Sequence, residues 1–297
     1  MSRPAKLPSI PGEGQIAAEG SGPAPDESEP VLPVRHPLNW VATAIVLVVA
    51  AMLVHGLVTN KAFEWNVVGH YLFNAQILAG LGVTAELTVV SIAIGLVLGT
   101  ALALMRLSSN VLLSSVSWVY IWFFRSVPVL VQLIFWYNFG ALYAHVSLGV
   151  PFGPAFLSGS TNNLITPLSA AFAGLGLTQA AYTGEVVRAG ILGVPEGQTR
   201  AALALGMSRR LTFQRIVLPQ AMKIIIPPVA NEVISMVKNT SLVSVIALAE
   251  LLYSAQLIYS RTYQTIPLLI VTTLWYLAVV SVLSVGQHFL ERRYRHA

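Results

Sequence analysis

Apolar residues run along this chain in long blocks, and polar residues collect in the gaps between them. Residues 1–37 have no apolar period and hold eight of the seventeen prolines, which predicts a disordered tail. That polar lead is too long for a secretory signal. Trp40 to about His55 or Thr59 predicts a first spanning helix, with Trp40 as an interfacial anchor. Residues 60–77 alternate polar and aromatic side chains and are expected at the outer surface. Gly80 to Arg106 predicts a second span, with Gly95 and Gly99 at the small-xxx-small spacing of closely packed helices. Val111 to Phe124 is apolar but too short to cross alone, so 111–126 is expected on the inner face. It leads past Pro128 into a third span from Val129 to about Tyr143. Residues 145–163 carry Gly, Pro, Ser and Asn without Lys or Arg, and predict an outer loop. A fourth span runs from about Leu164 to Val187. A fifth runs from about Ile224 to Leu252, broken near its start by Pro227-Pro228, and a sixth from about Pro267 to Leu290.

The predicted fold class is therefore an all-α membrane protein with six transmembrane helices. Its divisions are the tail 1–37, the first helix with its outer connection over 38–79, and a main transmembrane domain over 80–297. Composition agrees: 55% of the 297 residues are hydrophobic and 10% charged, too much apolar surface for a soluble core. The net charge of +5 is no nucleic-acid footprint, because the basic residues sit in separate loops beside apolar spans. With both ends inside, fourteen Lys and Arg fall on the inner side, Lys61 and Arg261 on the outer, and Lys238 within a span. That asymmetry predicts cytoplasmic termini. The absence of cysteine excludes disulfides and Cys-ligated metals.

Catalytic chemistry finds no footing. None of the four lysines follows a Gly-x-x-x-x-Gly pattern, so the phosphate-cradling loop of an ATPase is missing. The six histidines are scattered without i,i+3 or i,i+4 pairing, so no metal site is expected. The only aspartate is Asp26 in the tail, and no Ser/His/Asp set can be assembled. The chain is expected not to be an enzyme.

One polar island stands between the apolar blocks, over about 193–219. Five basic residues, Arg200, Arg209, Arg210, Arg215 and Lys223, lie in or beside it, which places it on the cytoplasmic side. Ala201 to Leu205 predicts a helix that Gly206 stops by taking a positive φ. Ser208 is placed to cap a second short helix, limited from behind by Pro219. Glu196 precedes Arg200 by four residues, the favourable order for a helical ion pair. Two short helices joined at a glycine make a rigid knob.

The stretch GQTRAALALGMSRRLTFQRIVLPQA resembles the EAA loop of ABC-transporter permeases, nearest the polar amino-acid branch of binding-protein-dependent importers. Three further blocks are similar to that family in order: GLGVTAELTVVSIAIGLVLG, FRSVPVLVQLIFWYNFG and NEVISMVKNTSLVSVIALAEL. The resemblance implies that Glu196, Gly197, Gln198, Arg200, Ala201, Ala202, Gly206, Arg209, Arg210 and Pro219 form a coupling helix that docks on a separate ATP-binding subunit. Arg200 stands where the family's loop carries its acidic residue. It also implies a second permease, identical or a sister chain, an extracytoplasmic solute-binding protein, and a place in the bacterial inner membrane. ATP and Mg would belong to the partner ATPase, with no cofactor in this chain.

Within the spans, Lys238 costs roughly 3 kcal/mol to place in lipid, so it must face protein or water. On a helix Asn231, Ile234, Ser235, Lys238 and Leu242 share a face, positioning Asn231, Ser235 and Lys238 to line a pathway for a zwitterionic amino acid. Lys238 paired internally, for instance with Glu232, is the other reading. Glu86 and Glu250 are further candidates to meet an ammonium group, although each alone is commonly an interfacial side chain reaching water. Glu185 and Arg188, three apart, predict a structural ion pair beside the knob. An ion-coupled secondary transporter is the alternative function. It would favour inverted repeats with paired broken helices, and no half-to-half repeat is visible here.

Overall fold

The computed structural model describes residues 37–150 and 155–295, which divide into two units at Asn60/Lys61. The expected tail, up to residue 36, lies outside the described residues. The first unit holds helix α1, Pro37–Thr59, whose side chains from Trp40 onward are exposed and apolar, as suits a surface solvated by lipid.

The second unit begins with a short helix, α2 (Trp65–Leu72), and the long α3 (Ala75–Arg106), started by Asn74 accepting from the Gln76 amide. Helix α3 thus opens five residues ahead of the expected Gly80. Then come α4 (Val111–Ser126) and α5 (Val129–Tyr137), bent by 100° at Val127-Pro128. Strands β1 (His145–Gly149) and β2 (Ala155–Ser160) form an antiparallel hairpin, with His145 opposite Ser160. Helices α6 (Thr161–Leu164), α7 (Pro167–Leu192), α8 (Glu196–Ala204) and α9 (Arg209–Thr212) follow. The chain ends with α10 (Leu218–Asn239), α11 (Leu251–Thr262) and α12 (Thr265–Arg295).

The fold is mostly helical, and α1, α3 and α12 are each long and apolar enough to cross a membrane. Two bent pairs, α4–α5 and α9–α10 with α11, qualify as broken spans. One short hairpin is added to the helices: His145 to Gly149 pairs with 155–160, with a bulge between Leu148 and Gly149, where a loop was expected. The segment 111–126 forms α4, whose outer side is exposed while Ser117 is buried, its hydroxyl donating to Leu102 O at 2.7 Å. Tyr120 likewise donates to Leu177 O at 2.9 Å, so α4 packs against α3 and α7.

Helix α5 stops at Tyr137, short of the expected Tyr143, where the Asn138 side chain donates to Ile134 O. At nine residues, about 14 Å, it cannot cross alone. Proline explains the bend. Pro128 has no amide to give Phe124 O, and Val127 before it is held extended. The buried side chain of Gln132 supplies what is lost, donating to Phe124 O (3.2 Å) and Val127 O (2.9 Å).

The core is centred on α3 against α7, the most extensive helix pair. A Cβ on Gly99 would stand 2.8 Å from Ala180 O and Gly184 N, and one on Gly95 2.4 Å from Gln179 Cγ. Backbone approaches backbone there, as the sequence spacing predicts. Helix α7 opens on a capping box between Thr166 and Ser169 and extends to Leu192, five residues past the expected end.

The fifth run differs most from expectation. Pro227-Pro228 lies inside α10 without breaking it, and the carbonyls left without an amide partner are those of Lys223 and Ile224. The break falls later. Thr240, Ser241 and Ser244 each donate a hydroxyl to the carbonyl three residues back, tightening 240–246 into a 3₁₀ helix. Ala247 then takes a left-handed conformation, φ 58°, and ends it.

Candidate functional site: an exposed knob and the exposed face of α10

Helix α8 begins at Glu196, closer to the loop's start than the expected Ala201, and its end is built by the backbone. Gly206 sits at φ +81°. Its amide donates to Leu203 O at 3.0 Å, and that of Met207 donates to Ala202 O at 3.1 Å. These two bonds are the Schellman pair that closes a helix on a left-handed glycine. Leu205, 85% exposed, and Arg200 project from the knob, while Ala202 is the one buried residue of α8. Arg200 bonds Glu196 at 2.6 Å, with both side chains about four-fifths exposed, so the pair orients the surface and adds little stability. Gly197 has open space around its Cα.

Ser208 caps α9 by accepting from the Leu211 amide at 3.4 Å. Arg209 and Arg210 occupy its first turn. The second helix is not short, which corrects the expectation at Pro219. It runs through a π-helical turn, Phe213–Val217, directly into α10. The wider turn shifts the backbone register just ahead of Pro219, where a regular helix would press the ring against Arg215 O. Gln220 donates its side-chain amide to Ile216 O at 3.0 Å, within the same turn.

Glu185 and Arg188 meet near the end of α7, at 2.5 Å and 3.0 Å, in a half-buried two-point contact. On α10, Asn231 and Lys238 are exposed and Ser235 half-buried, whereas Ile234 turns into the core and Leu242 lies beyond the helix end. Lys238 is thus at the helix terminus rather than midway along a continuous span. Among the described residues it has no carboxylate within ion-pair distance, since only the 185–188 and 196–200 pairs form. Glu232 instead accepts from Gln179 at 3.4 Å. Glu86 is exposed on α3, and no hydrogen bond or ion pair joins it to the α10 residues.

Glu250 is neither exposed nor interfacial: it is fully buried. It caps α11, accepting from the amides of Leu252 (2.9 Å) and Tyr253 (2.8 Å) and from the Tyr276 hydroxyl (3.0 Å). Glu250→Ala would strand all three donors. It is expected to lower stability by about 2–3 kcal/mol, read as a drop in melting temperature of the purified protein. Gln132 was missed as a site residue, although its place four residues after Pro128 was a usable signal. It also accepts from Thr178 at 2.8 Å, so one side chain ties the bend of α4–α5 to α7.

The family described as binding-protein-dependent transport system inner membrane component matches residues 91–296. The arginine transport system permease protein ArgU of Corynebacterium glutamicum is 42% identical over 280 residues, 93% of this chain and 87% of that protein. The L-cystine transport system permease protein TcyB of Bacillus subtilis is 35% identical, over 80% and 94%. Among solved structures, the chain resembles an amino acid ABC transporter crystallised with histidines. The TM-score is 0.65 and the identity 32%, over 74% of this chain and 95% of that one. The MetNI methionine transporter in an inward-facing form, at TM-score 0.55 and 17% identity over 73% and 95%, shares the fold.

Proposed function

Because this chain belongs to the inner-membrane components of binding-protein-dependent transport systems, we propose that it is the translocation subunit of an ATP-driven amino-acid importer. The membrane role of the family is the premise, and similar permeases named for arginine and cystine support the substrate class. Six spans account for the helical segments: α1, α3, the α4–α5 pair, α7, the α10–α11 pair and α12. Each joins the next by a connection that alternates sides. The asymmetry of basic residues then puts both termini, α8 and α9 in the cytoplasm of a bacterial cell. The divisions at 37 and 79 describe that layout, although α3 itself begins at Ala75.

The observation that carries the reading is the knob. An exposed helix closed rigidly on Gly206, joined to a continuous α9–α10 rod, is a handle by which a separate subunit can move a span. ATP and Mg are placed on that ATP-binding subunit, because no lysine here sits in a phosphate-cradling loop. A second permease and an extracytoplasmic receptor complete the assembly. Purified alone, the chain should neither bind nor hydrolyse ATP, and should stimulate hydrolysis when reconstituted with its partner ATPase. Micromolar nucleotide binding by the isolated chain would overturn this.

The exposed face of α10 is proposed as part of the pathway, with the ammonium of Lys238 meeting the substrate carboxylate and Asn231 and Ser235 lining the approach. Lys238→Met should abolish uptake in proteoliposomes while assembly and ATPase docking stay intact. Near-normal uptake per assembled complex would instead assign Lys238 a structural role.

A further inference from the structure

A second polar feature lies away from both the knob and the α10 face. The last residue of α3, one side of α4 and the later part of α7 line an open cavity of about 530 Å³. Arg106, Arg125 and Arg188 line it, against a single carboxylate, Glu185, which Arg188 already occupies. Arg106 donates to the neutral Ser114 hydroxyl (2.8 Å) and forms no ion pair among the described residues, and Arg125 lies over the Tyr182 ring at 5.3 Å. Three guanidinium groups thus face one carboxylate, and the lining carries a net positive charge that attracts an anion. Trp118 and Trp122 form another wall, stacked at 6.2 Å and each about half exposed.

We propose that this cavity binds the phosphate of an anionic phospholipid, clasped by Arg106, Arg125 and Arg188 and flanked by Trp118 and Trp122. Depth supports it. Helix α3 has 32 residues and is about 48 Å long, well beyond the roughly 30 Å of hydrocarbon. Its terminal Arg106 thus reaches headgroup level, as does Arg188 one turn before the end of α7. The chemistry supports it too. Guanidinium groups suit phosphate, tryptophan suits the boundary between headgroup and acyl chain, and basic pockets between spans are headgroup sites. A soluble anion would have no use for the tryptophan wall. The net positive lining disfavours a headgroup bearing its own ammonium. Lipid bound here would brace α3, α4 and α7 at the end where the knob is attached.

The site needs no ATPase, receptor or substrate, so its test is independent of the importer reading. The full chain is placed in nanodiscs of mixed phosphatidylglycerol and phosphatidylcholine, and retained lipid is measured by native mass spectrometry. Wild type should retain phosphatidylglycerol in about 25-fold preference, given roughly a fivefold gain for each of the two arginines outside the Arg188–Glu185 pair. Arg106→Gln/Arg125→Gln should bring retention close to parity, whereas Arg209→Gln/Arg210→Gln, with equal charge loss on the knob, should keep the preference. Parity in wild type, or equal loss in both double variants, would overturn the proposal. Displacement of the lipid by millimolar glycerol phosphate or inorganic phosphate would assign the cavity to a soluble anion instead. Should the cavity pair fail to fold, the wild-type preference and the exposed single change Arg125→Gln decide the matter.

Discussion

Valine at position 206 should leave the protein inserted at close to its normal level and cost it most of its transport. Gly206 holds φ +81°, a conformation that a β-branched residue reaches only at about 1–2 kcal/mol. A Cβ there meets nothing within 4 Å, so the penalty is one of backbone shape and not of collision. With Ala202 the one buried residue of α8, the bundle loses little if the knob re-forms differently. Relaxing φ to a negative value breaks the bonds from Gly206 to Leu203 and from Met207 to Ala202, and turns α8 away from α9. If the free energy lost is spent from docking, the ATPase should bind roughly five- to thirtyfold more weakly. Pull-down of the ATPase and uptake per milligram of inserted permease measure the two quantities. Wild-type values for both would show that the stretch is an ordinary loop.

Gly99→Val should act in the opposite way, removing the protein and not merely its coupling. The added Cβ would lie 2.8 Å from the Ala180 carbonyl and from the Gly184 amide, and backbone atoms cannot step aside as a side chain can. The α3–α7 contact would have to open along its length, with loss of the packing around Ala180 and Leu102. A cost of about 3 kcal/mol or more is expected, at the upper end for overpacking. Detergent-solubilised protein should elute as aggregate in size-exclusion chromatography. Gly82, with nothing near its Cα, provides the contrast, and Gly82→Val should stay monodisperse.

What was legible before the structure was local and chemical. Gly206 and Ser208 announced a stop and a cap because each acts on atoms within four residues of itself. The pairs Glu185–Arg188 and Glu196–Arg200 followed from helical spacing alone. Gly95 and Gly99 indicated close packing without naming α7 as the neighbour. The misses were of another kind. Residues 242–249 continue the apolar run of the fifth block, so hydropathy carries no mark of a break set by three hydroxyls and a left-handed alanine. Pro219 and Pro227-Pro228 were read as stops, but a π-turn precedes the first and the helix runs unbroken through the second. Glu250 looked like a carboxylate in search of water. Its partner Tyr276 lies 26 residues away, a distance over which sequence spacing says nothing.

The passage from α9 through the π-turn into α10 is unbroken helix from Arg209 to Lys238, about 45 Å at 1.5 Å per residue. Heredity is constrained by this as well as motion. In a rod, each residue inserted or deleted turns everything beyond it by about 100°, so the surface that meets the ATPase and the surface proposed to meet the solute share one angular phase. Substitutions can retune either end on its own. Changes of length between them can survive only in whole turns, or where a π-turn is gained or lost in compensation. The interval from Arg209 to Lys238 therefore behaves as a ruler that descendants of this gene may recolour but cannot cut.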